Sequence, residues 1–170
     1  MLTSNTSANR EHNQMIQGLH HAAYRCENSE ETRKFYEEFL ELPLARALKI
    51  DITKSGRDAA VLHTFYQMGD GSFLAFFEEP GEEFDFKAQR DFDLHLALEV
   101  DYDTLQRMLA KGKAEGIETR GPSDHEFIDS IYFRDPNGYV IELSAVKGGG
   151  PGKAAEARDI LADWTAAQHG

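Results

Sequence analysis

The sequence predicts an α+β fold built from two β-α-β-β-β units and a C-terminal helix. Two observations predict it. The segments "GLHHAAYRC" (Gly18 to Cys26) and "DLHLALEV" (Asp93 to Val100) both read as strands, and each leads into an amphipathic helical stretch. Three further extended runs follow each helix, so the same order of elements recurs within 170 residues.

Taken in order, residues 1–16 are polar and read as a flexible arm. The first unit spans 17–80. After its opening strand, Ser29 is placed to cap the helix "EETRKFYEEFLE", whose apolar side carries Phe35, Tyr36, Phe39 and Leu40, and Pro43 ends it. Runs at 45–53, 59–68 and 72–79 read as strands, the last two joined by "GDG". Residues 81–92 are a polar, acidic linker. The second unit, 93–146, opens on a strand with Leu94, Leu96, Leu98 and Val100 on one face and His95, Ala97 and Glu99 on the other. Its helix "DYDTLQRMLAKGKAEG" turns Leu105, Met108 and Leu109 inward and stops at Gly116. Strands at 117–120, 129–135 and 138–146 follow, the last two turned by "DPNG". Residues 147–170 form a Gly-rich linker and a helix with Ala157, Ile160, Leu161 and Trp164 at helical spacing.

Composition excludes several classes. A net charge of −12 argues against nucleic acid, whose phosphates need a basic face. No apolar run approaches the roughly 20 residues that span a bilayer, and the polar start lacks the apolar stretch of a secretory signal. The single cysteine, Cys26, permits no internal disulfide, so a cytoplasmic protein is expected.

Chemistry concentrates at three positions. His21 and His95 stand at matching places in the two units, and Glu142 interrupts the apolar strand "YVIELSA". A carboxylate there is costly to bury unless paired or bound to metal. Two histidines and a carboxylate make the ligand set of a facial triad, which leaves metal positions open for substrate. The competing reading is two hydrogen-bonded core histidines and an edge carboxylate.

Three stretches carry a resemblance. "LHHAAYRCENSEETRKFYEEFLELPL", "DLHLALEV" and above all the closing hairpin "SIYFRDPNGYVIEL" resemble the vicinal oxygen chelate superfamily of glyoxalases, bleomycin-resistance proteins and extradiol dioxygenases. The resemblance covers about residues 17–146. It implies an open, curved, mixed β-barrel around one divalent metal, held by His21, His95 and Glu142. The fourth ligand position of the family falls at Ala75, which cannot bind metal, and this favours the three-ligand site of ring-cleaving members. Tyr132, ten residues before Glu142, matches their substrate-contacting tyrosine. Alternation puts Ser130, Tyr132 and Arg134 on one face and Ile131 and Phe133 on the packing face.

The resemblance has departures. Gly71 and Ser72 stand where ring-cleaving members carry an acid–base histidine. His63 and His125 are the candidates to replace it. Fosfomycin-resistance members share the ligand set and the tyrosine spacing, but no basic run follows Glu142 before "KGGGPGK". The resemblance therefore implies an extradiol-type dioxygenase acting on a catechol-like aromatic, with Fe(II) as metal and Mn, Zn or Ni as alternatives. A glyoxalase- or epimerase-type lyase or isomerase is one alternative. Another is a non-catalytic ligand-sequestering protein with apolar walls such as Phe65, Phe77 and Phe127. A small-molecule substrate is expected, with neither nucleic acid nor membrane as partner. Small members of the family often form homodimers, sometimes by exchanging units. Of the adjacent histidines, His21 is the expected ligand and His20 a packing residue.

Overall fold

The computed structural model describes residues 16–148, apart from Lys54 and Arg57, and residues 152–169. Residues 1–15 of the expected N-terminal arm and the centre of the Gly-rich linker lie outside the described residues. The elements run β1 (His21–Cys26), α1 (Ser29–Arg33) continuing as a π-helical turn (Lys34–Phe39), β2 (Leu44–Ile52), β3 (Asp58–Gln67), β4 (Phe73–Glu78), β5 (Leu96–Glu99), α2 (Tyr102–Ala114), β6 (Thr119–Asp124), β7 (Ile128–Arg134), β8 (Val140–Val146) and α3 (Ala154–His169).

The first helix is capped by Asn28, not Ser29. Extended Asn28 accepts the backbone N–H groups of Glu30 and Glu31 on its side chain. Ser29 is already helical, and its own N–H donates to the Glu78 carboxylate at 2.6 Å. The π-helical turn widens the register so that Phe35, Tyr36 and Phe39 are all buried. The strand "DLHLALEV" is shorter than its pattern suggests. The N–H groups of Asp93 and Leu94 turn back onto the Arg90 carbonyl, so β5 begins only at Leu96 and His95 stands just ahead of it. Conversely, β6 runs on past Gly121-Pro122, because a shift in register between Arg120 and Ser123 accommodates the proline.

The strands form two four-stranded mixed sheets, ordered β1-β4-β3-β2 and β5-β8-β7-β6. In each, the first strand lies parallel to the last and the other neighbours are antiparallel. Along β1-β4-β3 and β5-β8-β7 the registers match. Ala23 faces Ala75 and Phe65 faces Ala75 in the first sheet, as Ala97 faces Glu142 and Tyr132 faces Glu142 in the second. His63 opposite Phe77 corresponds to Ser130 opposite Ser144. Ala75 therefore holds the place of Glu142, and Phe65 that of Tyr132.

The helix-side faces of both sheets share one core. Cys26, Tyr36, Phe39 and Phe76 meet Leu105, Met108, Ile131, Phe133 and Leu143 in a single buried cluster, and Phe39 packs edge-on against Phe133 at 5.1 Å. The closing turn fastens the halves. Tyr36 donates to Asp135, Asn137 donates to Thr32 and accepts from the Glu27 N–H, and Tyr139 donates to the Arg25 carbonyl. Among the described residues the two sheets share no hydrogen-bonded edge. Helix α3 is exposed along its described length, including Ile160, Leu161 and Trp164.

Candidate metal centre

The second sheet brings two predicted ligands together. Glu142, on β8, is 5% exposed, and its Oε2 lies 3.3 Å from Nε2 of His95. Its other oxygen accepts from Ser130 at 2.5 Å and from Ser144 at 2.9 Å. Strand alternation produces this grouping, since Ser130 and Ser144 are paired neighbours on the Glu142 face. Nδ1 of His95 lies 2.7 Å from the Asp91 carbonyl, which can only accept. That nitrogen carries the proton, so in the neutral ring the Nε2 lone pair points at the Glu142 carboxylate. Two lone pairs face each other, and a cation between them or a proton shared by the two atoms makes the contact favourable. The donor set therefore fits a divalent metal.

Beside this pair stand the other polar candidates of the second sheet. The Tyr132 hydroxyl is 2.9 Å from Nε2 of His125, which the β6–β7 turn holds through its backbone N–H to Ile128. Burial, and then the charge of Glu142, push the Tyr132 phenol up from its usual value, so it keeps its proton at neutral pH. Arg120 lies over the Tyr132 ring at 5.2 Å and grips the Asp91 carboxylate through two nitrogens at 2.8 and 2.7 Å.

The first sheet has a different character at the matching positions. His21 begins β1, and its Nδ1 is 2.8 Å from Nδ1 of His20, so one ring donates to the other. His20 is exposed, touching His21 and Phe73. This corrects the expectation that it packs inward: it precedes the first paired residue of β1, where alternation no longer aims it at the core. His63 is buried, donates through Nδ1 to the Phe76 carbonyl at 3.0 Å and stacks on Phe77 at 3.6 Å. Burial lowers its pKa, and His21 adds to the effect, so the ring stays neutral. Phe65 and Phe73 complete an aromatic surface around His21 and His63.

Within one chain, then, His95 joins Glu142, Tyr132 joins His125, and His63 neighbours His21. Among the described residues no three metal-ligating side chains come together in one chain. His21 remains with the first sheet. The sequence reading missed Ser144, Asp91 and Arg120 as parts of the site. Ser144 was legible, because it lies two residues beyond Glu142 on the same face. Asp91 and Arg120 were not, since the linker's path is a tertiary fact. A cavity of about 710 Å³ lies elsewhere, lined by Leu40, Met68, Leu98, Met108 and Val146, and contains none of the candidate residues.

Comparison with known proteins decides the family. The profile of the Glyoxalase/Bleomycin resistance protein/Dioxygenase superfamily matches residues 18–143. The chain belongs to that superfamily. Membership makes it a metal-dependent enzyme or a small-molecule-binding protein of this group. Among curated proteins it is similar to the metallothiol transferase FosB of Shouchella clausii (strain KSM-K16), 26% identical over 140 residues, 76% of this chain and 80% of that protein. Among solved structures it is similar to a glyoxalase/dioxygenase from Nostoc punctiforme, with TM-score 0.60 and 22% identity over 87% of this chain and 100% of that one. It is also similar to the fosfomycin resistance protein FosX from Listeria monocytogenes complexed with Mn(II) and a dihydroxypropylphosphonic acid, with TM-score 0.57 and 19% identity over 85% of this chain and 99% of that one. These two similarities establish the superfamily fold. No helix among the described residues is long and apolar enough to cross a membrane.

Proposed function

We propose that this superfamily member is a metal-dependent enzyme whose centre is completed by two copies of the chain, His95 and Glu142 from one and His21 from the other. The observation that carries the reading is the 3.3 Å approach of two lone-pair donors, His95 Nε2 and Glu142 Oε2, with His95 Nδ1 already committed to a carbonyl. The matched registers support the rest. His21 holds in the first sheet the place of His95, and a two-fold dimer facing one copy's first sheet onto the other's second sheet makes two equivalent centres. In the tautomer where Nδ1 of His21 carries the proton of its contact with His20, Nε2 of His21 is free to ligate.

The metal is Fe(II) in this reading, with Mn, Zn or Ni as alternatives. It supplies positive charge and open positions to a substrate that chelates through vicinal oxygens. The chain's own groups do the remainder. Phe65, Phe73, Phe77 and the neutral His63 ring offer an apolar aromatic wall, of which the stacked His63–Phe77 pair is the flat part, to an aromatic ring. Tyr132, protonated, donates a hydrogen bond to the substrate's oxygens, and His125 takes or returns the proton through its contact with that hydroxyl. This suits extradiol-type dioxygenation of a catechol-like aromatic. A glyoxalase-type proton abstraction uses the same residues, and a ligand-sequestering protein uses the wall without the metal.

A second reading has its own support. Arg25, Arg120 and Arg134 stand on these faces paired with Glu79, Asp91 and Glu118, but Arg46, across from Phe65, has no acidic partner among the described residues. A free arginine beside the wall suits an anionic substrate, and the structural relatives include the fosfomycin resistance protein FosX.

The test is oxygen uptake by anaerobically purified, Fe(II)-loaded protein over a panel of catechols, beside consumption of fosfomycin with and without a thiol. Ring cleavage is expected. Fosfomycin turnover without oxygen uptake transfers the assignment to the second reading. The shared centre is tested by mixing inactive His21→Ala and Glu142→Ala copies. Random reassortment gives mixed dimers with one intact centre, so about a quarter of full metal content returns. No recovery on mixing rejects the two-copy centre.

A further inference from the structure

Resting on that metal-site reading, we infer that the Asp91–Arg120 ion pair is a positioning device for the His95 ligand. The linker reaches the second sheet through a tight turn. Arg90 accepts the N–H groups of both Asp93 and Leu94 on its carbonyl, and the Asp91 carbonyl accepts Nδ1–H of His95. The same residue, Asp91, carries the side chain that Arg120 grips from β6 with two nitrogens at 2.8 and 2.7 Å. One residue thus links a strand of the sheet to the ring of the ligand. Its carboxylate is fixed by Arg120 and its carbonyl fixes the imidazole.

This arrangement has three consequences for His95. It sets which nitrogen carries the proton, leaving Nε2 for ligation. It sets the ring plane, because a carbonyl 2.7 Å from Nδ1 leaves little rotation. It also ties the end of a solvent-facing linker to β6, against which Arg120 is braced by Tyr132 and Glu118. Side-chain exposures of 28% for Asp91 and 46% for Arg120 make the pair nearly irrelevant to global stability, since exposed ion pairs stabilise little. A two-nitrogen grip on a surface carboxylate is better explained by orientation than by folding.

The molecule contains its own control. Arg46 occupies in the first sheet the position of Arg120 in the second, opposite Phe65 as Arg120 is opposite Tyr132. It has no acidic partner among the described residues, and His21 leans on His20 rather than on a carbonyl. The device is present on one side only, where His95 already faces the buried carboxylate.

The experiment measures Mn(II) affinity of full-length apo protein by titration, with wild type, Asp91→Asn, Arg120→Gln, Arg120→Lys, the Asp91→Asn/Arg120→Gln double variant and Arg46→Gln. We expect about tenfold weaker Mn(II) binding in each single variant of the pair, the lower end of what losing a ligand-orienting partner costs. The double variant should be no worse than either single one, because the two residues act as a unit. Arg120→Lys should recover part of the loss. Arg46→Gln should bind as wild type does, and all apo forms should melt together, which separates positioning from folding. Affinity within twofold of wild type in Asp91→Asn and Arg120→Gln, while His95→Ala abolishes binding, overturns the positioning role alone. Undiminished Mn(II) binding in His95→Ala overturns the metal-site reading and this inference with it.

Discussion

The Tyr36 hydroxyl donates to Oδ2 of Asp135 at 3.0 Å, joining residues 99 positions apart, both buried. Asp135 also accepts the N–H groups of Asn137 and Tyr139 and the Asn137 side-chain amide. These bonds lock the closing turn of the second sheet onto the helix of the first. They hold two sheets that share no edge at one fixed distance, and that distance sets how far His21 lies from Glu142 of its own chain.

Burial raises the Asp135 carboxyl above its ordinary value. The unfolded chain takes up this proton only near pH 3.9, the folded chain already at higher pH. Between those values the native state binds more protons, so the contribution is complete below pH 3.9 and lost as pH rises through the folded value. Asp135→Asn removes the titration and mismatches one donor with another. Wild type should exceed it by about 1–3 kcal/mol at pH 4, with the margin narrowing toward neutrality. Urea midpoints across that range check the sign, and a margin that widens with pH contradicts it.

Gly138 sets a second constraint at the same turn. Its φ is +94°, and a Cβ there would stand 2.6 Å from both the N and the O of Lys87 in the linker. Gly116, also at positive φ (+71°), faces open space. Gly116→Ala should therefore cost about 1 kcal/mol of backbone strain alone. Gly138→Ala should cost clearly more, about 2–3 kcal/mol, because the linker must move as well. Thermal melting of the two variants side by side measures the difference, and equal losses would show that the linker yields freely.

How legible this was depended on the kind of signal. Alternation placed Ser130, Tyr132 and Arg134 on one face and Ile131 and Phe133 on the other, and the structure agrees, because a strand leaves only two directions. Matching the two opening strands singled out His21 and His95, and the strands do align, Ala23 pairing with Ala75 as Ala97 pairs with Glu142, though His95 stands one residue ahead of the paired ladder. The neighbourhood of Glu142 was only half readable. Its bond to Ser130 follows from strand pairing, whereas the route by which Asp91 reaches His95 depends on a linker turn with no periodicity. The separation of His21 from Glu142 was equally hidden. It depends on the helix-side core, where Phe39 meets Phe133, and pairwise motifs do not encode which faces two repeats present to each other.

The contact between His20 and His21 sharpens a prediction about adjacent residues. His21→Ala, His95→Ala and Glu142→Ala should each lose metal, with affinity falling at least about a hundredfold, beyond the loss of an orienting partner. His20→Ala removes the ring 2.8 Å from His21 Nδ1 and should weaken binding without abolishing it. Metal content of the four purified variants distinguishes these outcomes. A His20→Ala protein as depleted as His21→Ala would exchange their roles.

Trp164 is the sole tryptophan and is 63% exposed on α3, on the same stripe as Ile160 (70%) and Leu161 (64%). A helix with one apolar stripe gains most of its stability by packing that stripe, so α3 alone is marginal. With the stripe uncovered, tryptophan emission should sit at the long-wavelength position of a solvated indole and be quenched readily by acrylamide. Leu161→Asp should then change global stability by less than about 0.5 kcal/mol, as surface substitutions do. Blue-shifted, protected emission that reverts in Leu161→Asp would instead mean that this stripe is covered in solution. Because one fluorophore reports one site, the measurement answers for α3 without interference from the core.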